Sequence, residues 1–223
     1  MKKGILLFAV FISGILLVSA QDKTAKEYKI EAAEAYKAKD YKKGLSSFEQ
    51  SIALYEAEGK TDTTLYFNAG ICAIKIEDYV KSIKLFDQSI GFKYKTCKSM
   101  LYKATALKKL ERFAEMEEIC NAGITSCAEN AADFNDLLFQ YYLASGLDIF
   151  NAAAKKQAEI TPLAKTDAEK YKTEMEKVKA EFTKSLPMLE KANKINPANE
   201  DCKKALKQAY ELLEMKDKAA GLK

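Results

Sequence analysis

Cysteine is the residue type in this 223-residue chain with the widest chemical reach, and there are five, at positions 72, 97, 120, 127 and 202. None stands in a C-x-x-C pair, and the chain contains no histidine, so the ligand sets of structural zinc sites are missing. Without histidine there is also no Ser-His-Asp or Cys-His arrangement to activate a nucleophile. Phosphate-cradling strings of the G-x-G-x-x-G or G-x-x-x-x-G-K-[ST] kind do not occur among the nine glycines. Arg112 is the single arginine; the remaining basic residues are lysine, which lacks the fork that holds phosphate or carboxylate through two bonds. Adjacent carboxylates such as Glu117-Glu118 read as solvated helix surface. We therefore expect no catalytic residues, no metal, no cofactor and no enzyme activity. The formal charge of +4 is spread over 30% charged residues, a mixed surface that speaks against nucleic acid as partner.

These residues have to be positioned by helices. The pairs Asp40-Tyr41, Asp78-Tyr79 and Arg112-Phe113 recur with 34 residues from Tyr79 to Phe113. From Tyr41 to Tyr79 the spacing is 38, the excess falling in the polar stretch Glu58-Gly59-Lys60-Thr61-Asp62. After Asp40 come Leu45, Phe48 and Ile52; after Asp78 come Ile83, Phe86 and Ile90, each set on one helical face. A helix also precedes each pair, with Tyr66, Ala69-Gly70 and Ala73 on one stripe and Met100, Ala104 and Leu107 on the next. Fixed periods of this length mark stacked helical hairpins.

Tyr66-Phe67-Asn68-Ala69-Gly70, Asp78-Tyr79, Ser82, Phe86 and Ser89-Ile90 together resemble the tetratricopeptide repeat (TPR). Gly70 and Ser82 occupy the places where two antiparallel helices nearly touch. The resemblance covers about 24–128, with Met116 a poor match at its small-residue place. It implies an all-α solenoid of about three units over 21–128. It also implies a concave side lined by the first helix of each unit. On that side the exposed residues are expected to be Phe67, Ile71, Ile74, Leu101, Thr105, Phe139 and Tyr142, with Lys75, Lys108 and Lys109 at one rim. This is a candidate protein or peptide groove; the competing reading packs some of these side chains against the chain's own helices. TPR domains that clamp a C-terminal carboxylate use a lysine–asparagine set, of which Lys29, Asn68 and Lys98 match, whereas Ala33 and Tyr102 do not.

Beyond residue 128 the period changes. The sequence predicts an elongated hairpin over 129–198, broken at Thr161-Pro162, with Thr166 capping a second long helix and Glu169 reaching back to it. Ala168, Tyr171, Met175, Val178, Phe182, Leu186, Leu189 and Ala192 form a near-heptad seam. That seam supports an alternative: a structural, self-associating protein. Pro187 is expected to kink the helix, and a capping helix is expected over 199–223. A third reading, a glycan or small-molecule module, would use Tyr141 and Tyr142.

Residues 1–20 read as a secretory signal: Lys2-Lys3, an apolar stretch from Gly4 to Val18, then Val18-Ser19-Ala20 before the polar Gln21. Cleavage near Ala20 would send the chain to the periplasm or outside the cell, with no membrane span left. Such compartments permit disulfides. Cys97 opens one helix and Cys127 closes its antiparallel neighbour, so this pair is the candidate bridge. The alternative treats all five cysteines as small buried hydrophobes.

Overall fold

The computed structural model describes residues 23–222; the signal-like segment lies outside them. All regular structure in that range is helical. Three hairpins come first: α1 (Ala25–Lys37) with α2 (Tyr41–Ala57), α3 (Thr63–Lys75) with α4 (Tyr79–Gly91), and α5 (Thr96–Lys109) with α6 (Phe113–Ser126). A 3₁₀ turn, Ala128–Asn130, leads into α7 (Ala131–Ile160). The four-residue α8 (Leu163–Thr166) then turns the chain into α9 (Ala168–Ile195), and α10 (Glu200–Leu212) and α11 (Lys216–Gly221) follow. From α1 to α7 each helix packs on its predecessor, α8 to α11 do the same among themselves, and α7 packs along α9. This is an all-α solenoid of helical hairpins with an elongated C-terminal hairpin.

Short polar side chains start these helices. Thr24 and Glu27 form a reciprocal capping box on α1; Asp40, Asp62, Asp78 and Asn199 cap α2, α3, α4 and α10 through their side chains. The cap of α9 corrects the expectation for Thr166. Asp167 accepts the Lys170 N–H at 3.0 Å, while Thr166 ends α8 with its hydroxyl on the Pro162 carbonyl. The helix starts one residue later because aspartate is the stronger cap. It then runs on through Pro187 as one helix.

The turn inside each repeat is the same. Lys39, Glu77 and Glu111 take left-handed backbone conformations, φ 62°, 64° and 56°. The next residue's N–H returns to a carbonyl five residues back: Asp40 to Ala35, Asp78 to Ala73, Arg112 to Leu107, each 2.9 Å. Glu214 (φ 60°) and Met215, bonded to the Tyr210 carbonyl at 2.8 Å, repeat it between α10 and α11. The segment 199–223, expected as a single capping helix, therefore holds two helices joined by the repeat's own turn.

Small residues set the helix spacing. A Cβ on Gly70 would stand 2.8 Å from the Phe86 ring, and one on Gly123 would collide with the Phe134 ring. Gly146 lies where α7 crosses α9, with Leu189 Cγ 2.7 Å from a notional Cβ. The C-terminal part of the α9 seam is taken up by this packing: Val178, Phe182, Leu186, Leu189 and Ala192 are buried within the chain, with the Phe182 ring edge-on to Phe150 at 5.1 Å, while Ala168 is exposed and Tyr171 and Met175 are half-buried.

Candidate functional site

The site candidates sit on first helices, so their rotation decides what each side chain meets. Asp62 fixes the start of α3, accepting from the Thr64 N–H at 3.1 Å and its hydroxyl at 2.6 Å, and it pairs with Lys29 of α1. Burial works to raise the Asp62 pKa, but the bonds from Lys29 and Thr64 outweigh it and hold the carboxyl low. From this start Phe67 and Ile71 point toward α5 rather than toward solvent.

The structure corrects the exposure expected for three residues. Phe67 is only 7% exposed: Phe86, Tyr94 and Tyr102 approach its ring at 5.9, 6.1 and 6.0 Å, and the Lys95 ammonium covers it at 4.5 Å. Ile71 is buried beside it, with Ile74 half-buried at the margin. Tyr142 is buried on another side of the molecule. It floors a cleft between α6 and α9 with Leu138 and Asn135, under the Lys191 ammonium, which sits 4.8 Å from the ring and pairs with Glu117 at 2.7 Å. Desolvation and the neighbouring Glu117 push the Tyr142 pKa up. Leu101 and Phe139 are half-buried against the main core, and the Thr105 hydroxyl donates to the Leu101 carbonyl at 2.9 Å.

What opens along the first helices is a different set. A cleft of about 900 Å³ separates α5 from α7, lined by Thr105, Lys108 and Lys109 on one side and Leu137, Gln140, Tyr141 and Ala144 on the other. Phe113 and Tyr141 stack at its floor with ring centroids 4.4 Å apart, and Lys108 donates to Gln140 at 2.9 Å. Thr105, Lys108 and Lys109 came from counting around α5. The α7 contribution is displaced by one or two positions from Phe139 and Tyr142, and one residue is about 100° of helix rotation. The rotation is set where Phe134 seats against Gly123, a contact between α7 and α6 that no periodicity announces.

Two tyrosines on first helices stay open. Tyr36 of α1 is 39% exposed and Tyr102 of α5 is 36% exposed. Tyr102 stacks on the buried Phe86 at 5.6 Å, so one ring face rests on the core and the other is free. Sequence counting gave Tyr36 no role and put Tyr102 at an unmatched clamp position; the available signal was the i,i+4 step from Lys98 to Tyr102 on one stripe of α5.

Cys97 and Cys127 are disulfide-bonded, Cα–Cα 5.6 Å, tying the start of α5 to the end of α6. The thiols of Cys72, Cys120 and Cys202 are buried, and burial pushes their pKa values to about 11, 12 and 11, which suppresses the reactive thiolate. Among the described residues no group of three His, Cys, Asp or Glu could hold a metal, and no helix is long and apolar enough to cross a membrane.

The sequence matches no protein-family model and no curated protein. Solved structures similar to the chain include a TPR repeats protein from Bacteroides fragilis NCTC 9343, at 20% identity over 84% of this chain and 98% of that one, TM-score 0.46. A putative protein binding protein from Bacteroides ovatus ATCC 8483 is 14% identical over 86% and 99%, TM-score 0.44. YrrB, described as a TPR protein with an unusual peptide-binding site, is 15% identical over 78% and 88%, TM-score 0.43.

Proposed function

We propose that this protein is a non-enzymatic scaffold that holds a protein or peptide segment along the inner face of its first helices, in the cell envelope after export. The observation that carries the reading is the α5–α7 cleft with its stacked aromatic floor, and the part-exposed Tyr36 and Tyr102 on first helices support it. Large aromatic side chains held half out of water on rigid helices are the usual anchors of protein contacts. The cleft falls in the size range of ligand sites, and its stacked floor and lysine rim offer both apolar contact and charge. Export is supported by the signal-like residues 1–20 alone, and a bonded Cys97–Cys127 pair suits an oxidising compartment.

The test is crosslinking in the native host followed by partner identification, repeated with Tyr36→Ser and Tyr102→Ser together. We expect the crosslinked partner to be lost while the circular dichroism spectrum is kept. Unaltered capture by the double variant would place binding on another surface. Amino-terminal sequencing of the mature chain should read Gln21 first; retention of Met1 would refute cleavage.

A further inference from the structure

We infer that the inner face selects an acidic segment of its partner, one in which carboxylates alternate with apolar or aromatic side chains. This deepens the reading of that face as the partner-binding surface and rests on it.

The charge distribution carries the inference. Helices α3 and α5 together contain five lysines, Lys75, Lys98, Lys103, Lys108 and Lys109, and no aspartate or glutamate. Lys103 leaves the face to pair with Asp87 of α4 at 2.6 Å. The other four fall on the stripes that run through Ile71 and Thr105. On α1 the corresponding stripe, Lys26, Lys29 and Ala33, is partly neutralised, because Lys29 pairs with Asp62 at the start of α3. Among the described residues none of the other four lysines on α3 and α5 has a carboxylate partner, although the chain pairs lysines elsewhere: Lys81 with Glu49, Lys191 with Glu117, Lys218 with Glu190. Like charges gathered on one face add to its potential, so these four lysines reinforce one another.

The carboxylates return at α7. Asp133 and Asp148 are exposed there, Asp136 accepts from Gln140 at 2.7 Å, and Glu111 and Asp148 line the far part of the cleft. The positive zone is thus bounded, covering α3 and α5, and this gives a bound segment a direction. Between its lysines lies the exposed ring of Tyr102, which calls for apolar or aromatic side chains in the same segment. Lysine is a hydrated point charge on a flexible stem, so the stripe accepts carboxylates without demanding one geometry. Recognition by a stripe makes a free C-terminal carboxylate unnecessary.

The test is fluorescence anisotropy of the full chain with three labelled dodecapeptides, acetylated and amidated. They share the same Phe and Leu positions and carry Glu, Gln or Lys between them. The Glu peptide is expected to bind at least about tenfold more tightly than the Gln peptide, with the Lys peptide weakest. Its affinity should fall as salt rises from about 50 to about 300 mM. Lys75→Glu, Lys98→Glu and Lys109→Glu together should abolish the preference while helicity is retained, since all three side chains are exposed. Equal binding of the Glu and Gln peptides, sensitive to Tyr102→Ser, would overturn the acidic preference and leave the inner-face reading standing. Binding that ignores both the lysine and the tyrosine variants would overturn both readings. No measurable binding of the Glu peptide, or equal affinity for duplex DNA, would also overturn the inference.

Discussion

Gly146 shows how much a single side chain decides here. Within its own helix it gains nothing from being glycine and forgoes about 1 kcal/mol of helix propensity relative to alanine. The reason for it lies on α9, where Leu189 approaches so closely that a Cβ would meet its Cγ at 2.7 Å and its backbone nitrogen at 3.1 Å. The side chain can yield, but the backbone cannot without moving the hairpin. Gly146→Ala is therefore expected to destabilise by about 1–3 kcal/mol, the usual cost of overpacking. Gly91, with nothing within 4 Å of a notional Cβ, serves as the control: Gly91→Ala should be neutral or stabilising by up to about 1 kcal/mol. Thermal melts of the two variants read the difference, and equal melting shifts would refute the close-approach argument. At the same scale Phe67 and Tyr102 exchange the roles that residue type suggests. Both are aromatic and both face between α3 and α5, but Lys95, Tyr94 and Tyr102 bury the phenylalanine while the tyrosine keeps a free face.

At the scale of elements, successive hairpins are joined by tyrosines on first helices meeting glutamates on the preceding second helices. Tyr66 of α3 donates to Glu56 of α2 and Tyr210 of α10 donates to Glu190 of α9, both at 2.7 Å; Tyr142 of α7 lies against Glu117 of α6. Lys191 and Lys218 complete the last two groups. The Glu190 carboxyl is held low chiefly by Lys218, against desolvation and with help from Tyr210. At Glu117 burial pushes the pKa up, but the bonds from Lys191 and Tyr142 prevail and the net shift is downward. A carboxylate whose folded pKa lies below its unfolded value of about 4.3 contributes stability above that value. The contribution is lost as pH falls through the folded pKa. Melting temperature should therefore drop below about pH 4.5, and Glu117→Gln with Glu190→Gln should flatten that drop. An unchanged acid limb in the double variant would show that the two carboxylates do not stabilise these junctions.

For the whole molecule, the Cys97–Cys127 bridge closes a 30-residue span around the third hairpin. This hairpin carries the Thr105–Lys109 wall of the cleft and hands the chain on to α7. In the chain-entropy picture a loop of this length is worth roughly 3–4 kcal/mol. Cys97→Ser with Cys127→Ser should cost stability of that order, and reductant should lower the melting point of the parent chain but not of the double variant. Identical melting of parent and variant under oxidising conditions would mean that the bridge contributes nothing. The three remaining thiols are buried and apart from this pair, so they offer no exposed alternative partner in the folded state.

The sequence by itself determined the hairpins, because the signals for them are local. The 34-residue period, the aspartates at helix starts and the small residues at Gly70 and Ser82 each act within a few turns of helix. It determined the charge asymmetry as well, since α3 and α5 lack acids in any conformation. Only the tertiary structure decided how the helices are rotated about their axes. The seating of Phe134 on Gly123 swings α7 so that Tyr141 faces α5 and Tyr142 faces α9. Packing of Phe67 under Lys95 and Tyr102 likewise closes a surface that helical counting leaves open. Rotation is fixed by contacts between elements, and a shift of one residue turns a side chain by about 100°, so the face of the groove was settled by packing rather than by period.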